Sequence, residues 1–351
     1  MVRQERRGSS DATSEAYEAR PVTPALRGLK RHRQHGTALP ISAPRHHAPV
    51  TNIVLTDGGM GQELLRRSQT PPTPLWSGRV LLEEPALVRD LHAEFIRAGA
   101  RVITINAYGA TPERLEREGE DGMFEQLQRR AIELAAAARD DAGDGDVLIA
   151  GCLPPLFGSY QPALRIPYAE TLATYRRIVA EQAEHVDLML CETMASAEEG
   201  LAAATAASES GKPVWVSWTL ADDGPPCLRS GETLAQAAAA LDGIALAARL
   251  VNCSRPEAVD AAMPDLVALG GVVGAYANAF PAVEDLKIGG SVDVLGVRDD
   301  LGPASYAEFA MRWVAGGASI VGGCCEVGPA HIAVLRDRLA AAGYTVAPTV
   351  G

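Results

Sequence analysis

The sequence predicts an α/β fold, a closed (β/α)8 barrel of the TIM type, built as a single domain after a disordered N-terminal extension. From Asn52 onward, eight short apolar runs alternate with longer stretches in which apolar residues recur every three or four positions. Uninterrupted apolar runs between amphipathic helices predict a parallel sheet that is covered on both faces. Eight such units in about 300 residues fit a closed barrel. A doubly wound sheet is disfavoured because no nucleotide-binding glycine fingerprint follows the first run.

The elements can be placed in order along the chain. The predicted strands cover residues 53–56, 101–105, 147–151, 188–191, 214–218, 246–251, 272–275 and 319–322. The predicted helices between them cover residues 85–98, 123–139, 168–184, 196–210, 233–240, 256–269, 305–315 and 329–342. The segment Ser-Ala-Glu-Glu from Ser196 is a capping-box pattern, and Gly99 and Gly211 mark helix ends.

Composition indicates a globular enzyme. The chain has 351 residues, of which 47% are hydrophobic and 22% are charged, as is ordinary for such proteins. Its net charge of −12 argues against nucleic acid as a partner of the whole body. No apolar run reaches the roughly 20 residues that a membrane span needs. Six cysteines in a chain of this length do not form a disulfide scaffold, so we expect a reducing compartment, the cytoplasm.

The first 50 residues differ from the rest of the chain. They hold nine basic and four acidic residues, and their apolar residues show no period. We predict a disordered extension over residues 1–50. The cluster Lys30-Arg31-His32-Arg33 could contact nucleic acid or an acidic surface, but a solvated extension is the favoured interpretation.

Three cysteines follow predicted strands. Cys253 follows the sixth apolar run, and Cys324 and Cys325 follow the eighth after two glycines. Because TIM barrels carry their chemistry at the carboxyl ends of the strands, three thiolates there could converge on a tetrahedral zinc ion with one open position. The alternative is that these are small buried apolar residues. That alternative explains Cys152 and Cys191, but it explains an adjacent pair at a strand end much less well.

The segment at residues 322–332 resembles the GGCC-x3-P-x-H-I signature of the homocysteine S-methyltransferase family. It reads Gly322-Gly323-Cys324-Cys325-Glu326-Val327-Gly328-Pro329-Ala330-His331-Ile332. Further matches run in family order across residues 52–342: Asp57-Gly58-Gly59-Met60 with Glu63-Leu64, Leu75-Trp76-Ser77, Tyr108-Gly109-Ala110-Thr111, Glu192-Thr193, Ser230-Gly231-Glu232 and Asn252-Cys253-Ser254. The resemblance implies a (β/α)8 barrel domain, over residues 51–345, with zinc held by Cys253, Cys324 and Cys325.

Five residues are predicted to bind substrates. Carboxylates at strand ends would pair with the ammonium group of an amino acid, and the resemblance places homocysteine-binding acids near Asp57 and Glu192. Asp57, which precedes two glycines, could instead only cap the next helix. Aromatic faces attract a cationic methyl donor, and the resemblance places Trp76 and Tyr108 in the donor pocket. Asn252, which precedes Cys253, is the fifth predicted substrate-binding residue.

The chain departs from the family pattern near the expected donor pocket. Ala277 stands where the family often has proline, and Asn106 and Phe280 lie where they could alter this pocket. Tyr160 suits packing under a loop and donor binding equally well. The resemblance favours S-methylmethionine or S-adenosylmethionine as the donor, with betaine second.

We therefore predict a zinc-dependent enzyme that transfers a methyl group to the sulfur of homocysteine and forms methionine. Its partners are small molecules, with no nucleic acid and no membrane. One alternative is a non-catalytic barrel with a structural zinc site, which Cys227 or a histidine would close as the fourth ligand. The other is a methyltransferase that acts on a different small thiol or selenol.

Overall fold

The computed structural model describes residues 52–69, 76–143, 145–164, 166–283, 286 and 295–350, with Trp76 and Ser77 described by their backbone alone. The predicted extension over residues 1–50 lies outside these ranges, so it stays a prediction, as does the domain boundary that follows it.

Eight parallel strands close into a barrel, as predicted. The eight barrel strands are β1 (Asn52–Leu55), β2 (Val102–Thr104), β3 (Leu148–Leu153), β4 (Leu188–Met194), β5 (Val214–Trp218), β6 (Ala248–Asn252), β7 (Val273–Tyr276) and β8 (Ile320–Val321). A ninth strand, β9 (Thr345–Val346), adds to the same sheet. Consecutive strands pair from β2 to β8, and β8 pairs with β1. A parallel bridge between Thr56 and Val102 joins β1 to β2 and closes the ring. The short β9 pairs with the beginning of β1.

Helices follow the strands and cover the outside of the barrel. They are α1 (Met60–Arg67), α2 (Trp76–Glu83), α3 (Pro85–Ala98), α4 (Pro112–Arg117), α5 (Phe124–Ala142), α6 (Tyr168–Gln182), α7 (Ala197–Ser208), α8 (Leu234–Ala239), α9 (Pro256–Ala268), α10 (Pro303–Gly316) and α11 (Pro329–Ala341). All eight predicted helices are present. The α3 helix has the predicted bounds and ends at Gly99, whose φ of 118° is left-handed.

Two apolar layers determine where polar residues can lie. The outer layer packs between strands and helices and includes the fully buried Phe95, Tyr175 and Trp313. The inner layer lies inside the barrel and includes Leu190 and Leu250. Because the inner layer fills the middle of the barrel, a pocket for a polar substrate is confined to the level above it, at the carboxyl ends of the strands.

The largest departure from the predicted strands is at β4. It continues past Cys191 to Met194, so Glu192 lies within the strand rather than after it. The pairing register with β5 shifts between Cys191 and Met194. Such irregularities bend a strand and re-aim its side chains, and this one lies at Glu192 and Thr193.

The predicted capping box of α7 is only partly formed. Ser196 accepts a hydrogen bond from the main-chain N–H of Glu199, as the pattern requires. The Glu199 carboxylate, however, accepts from the N–H of Ala195, one residue before the cap.

None of the helices in the described ranges is long and apolar enough to cross a membrane.

Candidate functional site

Three thiols converge at the carboxyl ends of β6 and β8, as predicted. The sulfur atoms of Cys253, Cys324 and Cys325 all lie within 4.8 Å of one another. The Sγ atoms of Cys253 and Cys325 are 3.6 Å apart, and those of Cys324 and Cys325 are 4.0 Å apart. Tetrahedral zinc with Zn–S bonds of about 2.3 Å separates its sulfurs by about 3.8 Å. The donor set and its spacing therefore fit a zinc ion.

The main chain around the sulfurs is held by close contacts between the β1 and β8 loops. A side chain at Gly322 would place its Cβ atom 1.8 Å from Oγ1 of Thr56, and one at Gly59 would lie 2.6 Å from the carbonyl oxygen of Cys324. The N–H of Gly323 donates to the carbonyl of Asp57 at 2.9 Å. Glycine pairs in both loops let the two backbones approach this closely.

Cys227 is not part of this site. In the described part of the chain, the group that could hold a metal ion consists of Cys253, Cys324 and Cys325, without Cys227 and without a histidine. Cys227 lies in the loop after β5, where its carbonyl accepts from the N–H of Ala221. The set of three sulfurs matches a catalytic site with an open position better than a closed structural site.

Two further residues lie next to Cys253: Tyr160, for which the sequence left packing and donor binding open, and Asn278, which was not predicted to bind substrate or metal. The hydroxyl of Tyr160 lies 2.9 Å from the Sγ of Cys253, and the side-chain nitrogen of Asn278 lies 4.0 Å from it. Burial opposes ionisation of Cys253, but hydrogen bonds from Cys324, Cys325 and Tyr160 hold the pKa of its thiol well below the usual value. Hydrogen bonds to Cys253 raise the pKa values of Cys324 and Cys325 well above the usual value, so Cys253 is the thiol of the cluster that ionises most readily. The thiolate is the form that binds metals.

Backbone strain concentrates around the sulfurs. The described non-glycine residues with positive φ are Tyr160, Thr193, Cys253 and Glu326, at 62°, 60°, 48° and 66°. Each is a site residue or adjoins one, because Thr193 follows Glu192 and Glu326 follows Cys325. Such conformations cost about 1–3 kcal/mol each and cluster at functional sites.

Two buried acids lie near the cysteine cluster. One oxygen of Asp57 accepts from the N–H of Thr104 at 2.8 Å, and Oε1 of Glu192 accepts from the thiol of Cys152 at 3.0 Å. Burial raises the pKa of Asp57 to about 8, with repulsion from Glu192 adding to it. Burial likewise raises the pKa of Glu192 to about 7. A cationic group placed between them would restore their charge.

Asn252 is fully buried, and its amide is used inside the protein. Its oxygen accepts from the N–H of Thr193 at 2.9 Å and from the hydroxyl of Ser217 at 2.7 Å. Its nitrogen donates to the hydroxyl of Thr193 at 2.8 Å. These bonds hold the strained Thr193 and so fix the direction of the neighbouring Glu192. The geometry favours positioning over the direct substrate contact that the sequence predicted.

The two predicted donor-pocket residues are described to different extents. Tyr108 is half-buried, its hydroxyl lies 2.8 Å from that of Ser159, and the guanidinium of Arg114 lies 5.3 Å from the centre of its ring. The side chain of Trp76 lies outside the described part of the chain. Asn106, which could alter this pocket, is buried after β2.

An apolar cluster covers one side of the sulfurs. Phe280 is fully buried and packs with Tyr160, Cys253, Leu286 and Leu295. Apolar surroundings limit the access of water to a metal site and lower its effective dielectric constant. Phe280 is therefore placed to shape the site beside the sulfurs.

A buried ion pair supports Tyr160. The guanidinium of Arg229 lies 4.8 Å from the centre of the Tyr160 ring and binds Asp222 at 2.9 Å. Only 9% of the Arg229 side chain and 2% of the Asp222 side chain are exposed. Arg229 also donates to the hydroxyl of Thr219, which donates to the carbonyl of Cys253. The β5 loop thus holds both partners of the Tyr160–Cys253 contact.

The Ser230-Gly231-Glu232 segment fixes the turn after β4. Glu232 accepts from the N–H of Ala197 at 2.8 Å and from the hydroxyl of Ser230, and the N–H of Ser230 donates to the carbonyl of Ala195. This motif therefore fixes the position of the turn between β4, which carries Glu192, and α7.

Known proteins are similar to this chain over most of its length. The family model described as "Homocysteine S-methyltransferase" matches residues 54–339. The chain is similar to the homocysteine S-methyltransferase of Escherichia coli, with 30% identity over 82% of this chain and 95% of that protein. It is similar to the selenocysteine methyltransferase of Astragalus bisulcatus, with 28% identity over 78% of this chain and 88% of that protein. Among solved structures, a homocysteine methyltransferase of Escherichia coli in its metallated form superimposes with a TM-score of 0.70, at 30% identity over 82% of this chain and 96% of that one.

Proposed function

Because this chain belongs to the homocysteine S-methyltransferase family, we propose that it transfers a methyl group from a cationic small-molecule donor to the sulfur of homocysteine, forming methionine. The observation that carries the proposal is the group of three thiols beside two buried acids at one end of the barrel. The thiol of homocysteine gives up its proton to solvent, and its sulfur forms a bond to the methyl carbon while the donor's bond to that carbon breaks. The electron pair of the broken bond stays on the sulfur or nitrogen atom of the donor, and that atom loses its positive charge.

Zinc is the cofactor that the thiols fit, and Cys253, Cys324 and Cys325 would hold it. When bound, the ion supplies a positive charge and an open position that favour the thiolate form of a substrate thiol. The chain itself contributes the orientation of the three sulfurs through the glycine contacts of the β1 and β8 loops. Tyr160 occupies the space directly beside Cys253 and bounds the site on that side.

Asp57 and Glu192 bind the ammonium group of the amino-acid acceptor in this proposal. Both acids are buried at the level of the sulfurs, and burial favours their neutral forms until a cation binds and stabilises the carboxylates. Asn252 acts through Thr193 to orient Glu192. Holding the acceptor by its ammonium and its sulfur fixes the line of attack, and such positioning contributes much of the acceleration in transfer reactions.

Tyr108 and Trp76 are the proposed donor-binding residues. An aromatic face attracts a sulfonium or quaternary ammonium group, and Tyr108 lies in the loop that follows β2, at the carboxyl end of the barrel strands. S-methylmethionine or S-adenosylmethionine is the first proposed donor and betaine the second. The apolar packing around Phe280 limits the access of water to this side of the site.

A selenol or another small thiol is the second candidate acceptor. The observation that favours it is the similarity to the selenocysteine methyltransferase of Astragalus bisulcatus. Thiolates and selenolates share the soft character that the three-sulfur group would match.

Zinc content and X-ray absorption of the purified protein, with and without homocysteine, test the proposal. We expect one zinc ion in a three-sulfur shell that gains a fourth sulfur when homocysteine is added. A donor and acceptor screen then separates homocysteine from selenocysteine. The variant C324S is expected to lose the ion, while C227S, which removes a thiol outside the cluster, keeps it. A closed four-ligand shell that does not respond to homocysteine would support the structural zinc site instead.

A further inference from the structure

Cys152, which lies outside the three-sulfur group, contacts one of the two buried acids. Cys152 lies on β3, and its Sγ is 3.0 Å from Oε1 of Glu192. The two residues are 1% and 8% exposed. Burial raises the pKa of the Cys152 thiol well above its usual value, and the neighbouring Glu192 raises it further. The sulfur therefore keeps its proton and donates a hydrogen bond to the Glu192 carboxyl group.

The position of Cys152 is fixed from outside the barrel. β2 pairs with β3 as far as Thr104 and Ala150. Beyond that point, the amide of Gln182 accepts from the N–H of Cys152 at 2.9 Å and donates to its carbonyl at 3.0 Å. Gln182 also donates to the side chain of Gln128 at 2.8 Å. One buried side chain thus satisfies both main-chain groups of Cys152.

The amide chain ends on the β2 loop. Gln128 donates to the carbonyl of Ala110 at 2.8 Å, and both glutamines are at most 1% exposed. A buried and fully bonded polar chain of this kind makes a rigid support. A cysteine that only filled space would need no such support, since a small apolar residue tolerates shifts of the strand.

We propose that Cys152 is a positioning residue for substrate binding: its S–H group holds Oε1 of Glu192 and directs Oε2 toward the ammonium group of the acceptor. The inference deepens the proposed function and rests on it. A carboxylate that is free to rotate would lose orientation entropy when it binds a cation, and a donor fixed to one oxygen removes that cost beforehand.

The test compares C152A, which removes the donor, with C152S, which keeps one. Homocysteine binding to the zinc-loaded protein is measured by calorimetry, and steady-state KM and kcat are measured with the best donor. The same measurements use 4-sulfanylbutanoate, which has the thiol and the carboxylate of homocysteine but no ammonium group. The control is C191A, which removes a buried thiol from the neighbouring strand β4 without touching Oε1 of Glu192.

We expect C152A to weaken homocysteine binding about tenfold and C152S to stay within about threefold of the unchanged protein, since hydrogen bonds to charged groups are among the stronger ones. Zinc content, kcat at saturation and binding of 4-sulfanylbutanoate stay unchanged in both variants. C191A behaves as the unchanged protein toward both thiols.

Two results would overturn the inference alone: C152A binds homocysteine as tightly as the unchanged protein, or it loses affinity equally for both thiols. The second result would assign Cys152 to packing. If the unchanged zinc-loaded protein binds no homocysteine at all, the proposed function falls together with the inference.

Discussion

The hydroxyl of Tyr306 donates a 2.7 Å hydrogen bond to the carbonyl oxygen of Gly322. The same hydroxyl accepts from the N–H of Ala277 at 3.1 Å. Tyr306 lies on α10 and is fully buried, and the ring of His331 packs against it edge to face, with 5.9 Å between the ring centres. One phenol group therefore joins the carboxyl ends of β7 and β8, the strands that lead to Asn278 and Cys324.

We expect Tyr306→Phe to lower both stability and zinc affinity. Two buried main-chain groups would lose their partner, which costs about 1–3 kcal/mol of unfolding free energy. Because outer-shell bonds typically contribute 10–100-fold to metal affinity, zinc affinity should fall by about tenfold or more. Urea unfolding and competition with a chelator measure the two effects. Tyr168→Phe, which loses only a 3.3 Å contact with Thr205, serves as control; equal losses in both variants would count against the link to zinc.

Gly322→Ala should prevent the β8 loop from forming. Its Cβ atom would lie 1.8 Å from Oγ1 of Thr56, a distance that no rearrangement of a few tenths of an ångström relieves. We expect loss of zinc binding and a drop of several kcal/mol in stability, of order 3 or more. Gly61→Ala is the matched control, because nothing lies within 4 Å of its Cβ position in α1. That change should be neutral or stabilise by about 1 kcal/mol. A soluble, zinc-binding G322A protein would contradict the prediction.

Glu192→Gln should stabilise the zinc-free protein at high pH while it weakens homocysteine binding. Burial raises the pKa of Glu192 from 4.5 to about 7, so the folded state binds its proton more tightly than the unfolded chain. The stability of the folded protein that depends on this proton is fully present at low pH and is lost as the pH rises from about 4.5 through 7. The variant removes the cost of the buried charge, and we expect a gain of about 2–3 kcal/mol at pH 9 and none at pH 4.

Chemical unfolding between pH 4 and 9 measures this difference. Glu209→Gln is the control of opposite sign, because a hydrogen bond with Arg176 lowers the pKa of that exposed acid. The Glu209→Gln variant should show no gain in unfolding free energy at pH 9. A stability difference between E192Q and the unchanged protein that is independent of pH would contradict the assignment of a buried, uncompensated carboxylate.

Arg229→Met should destabilise the protein strongly, because it removes the guanidinium that pairs with the buried carboxylate of Asp222. Removing one member of a buried pair costs about 3–5 kcal/mol. The double variant with Asp222→Asn should recover much of this loss, since the buried negative charge is removed together with the guanidinium. Arg176→Met, which breaks an exposed pair with Glu209, should cost no more than about 1 kcal/mol. Thermal and urea unfolding of the unchanged protein, R229M, D222N and the double variant give the coupling energy. A double variant as unstable as R229M would exclude the charge effect.

The eight strands could be predicted because each is buried on both faces and therefore reads as a continuous apolar run. Helix α3 was placed at its bounds because proline begins it and glycine ends it. The two-residue β9 could not be found in this way, since Thr345 and Val346 are partly exposed and too few to show a pattern. Helix α1 was missed as well, because eight residues that include Gly61 resemble a loop.

The sulfurs were predictable from their places in the chain, whereas their neighbours were not. A cysteine pair after an apolar run is a local signal, but Tyr160 reaches Cys253 across 93 positions. Asn252 shows the same limit: the sequence places it beside Cys253, but the direction of its amide depends on Thr193 and Ser217 from other strands. Side-chain direction of this kind follows from tertiary packing and leaves no mark in a single sequence.

The distance in sequence between Cys253 and Cys325, 72 positions, links metal capture to the order of folding. Cys324 and Cys325 are adjacent in sequence, but these two sulfurs do not form the three-sulfur group without that of Cys253. That third sulfur reaches them only after β7 has paired with both β6 and β8. Since long-range pairings form late and slowly, occupancy by zinc would report the finished barrel and discriminate it from a collapsed intermediate. The rate of zinc release during unfolding would in turn measure the rate at which β6, β7 and β8 separate.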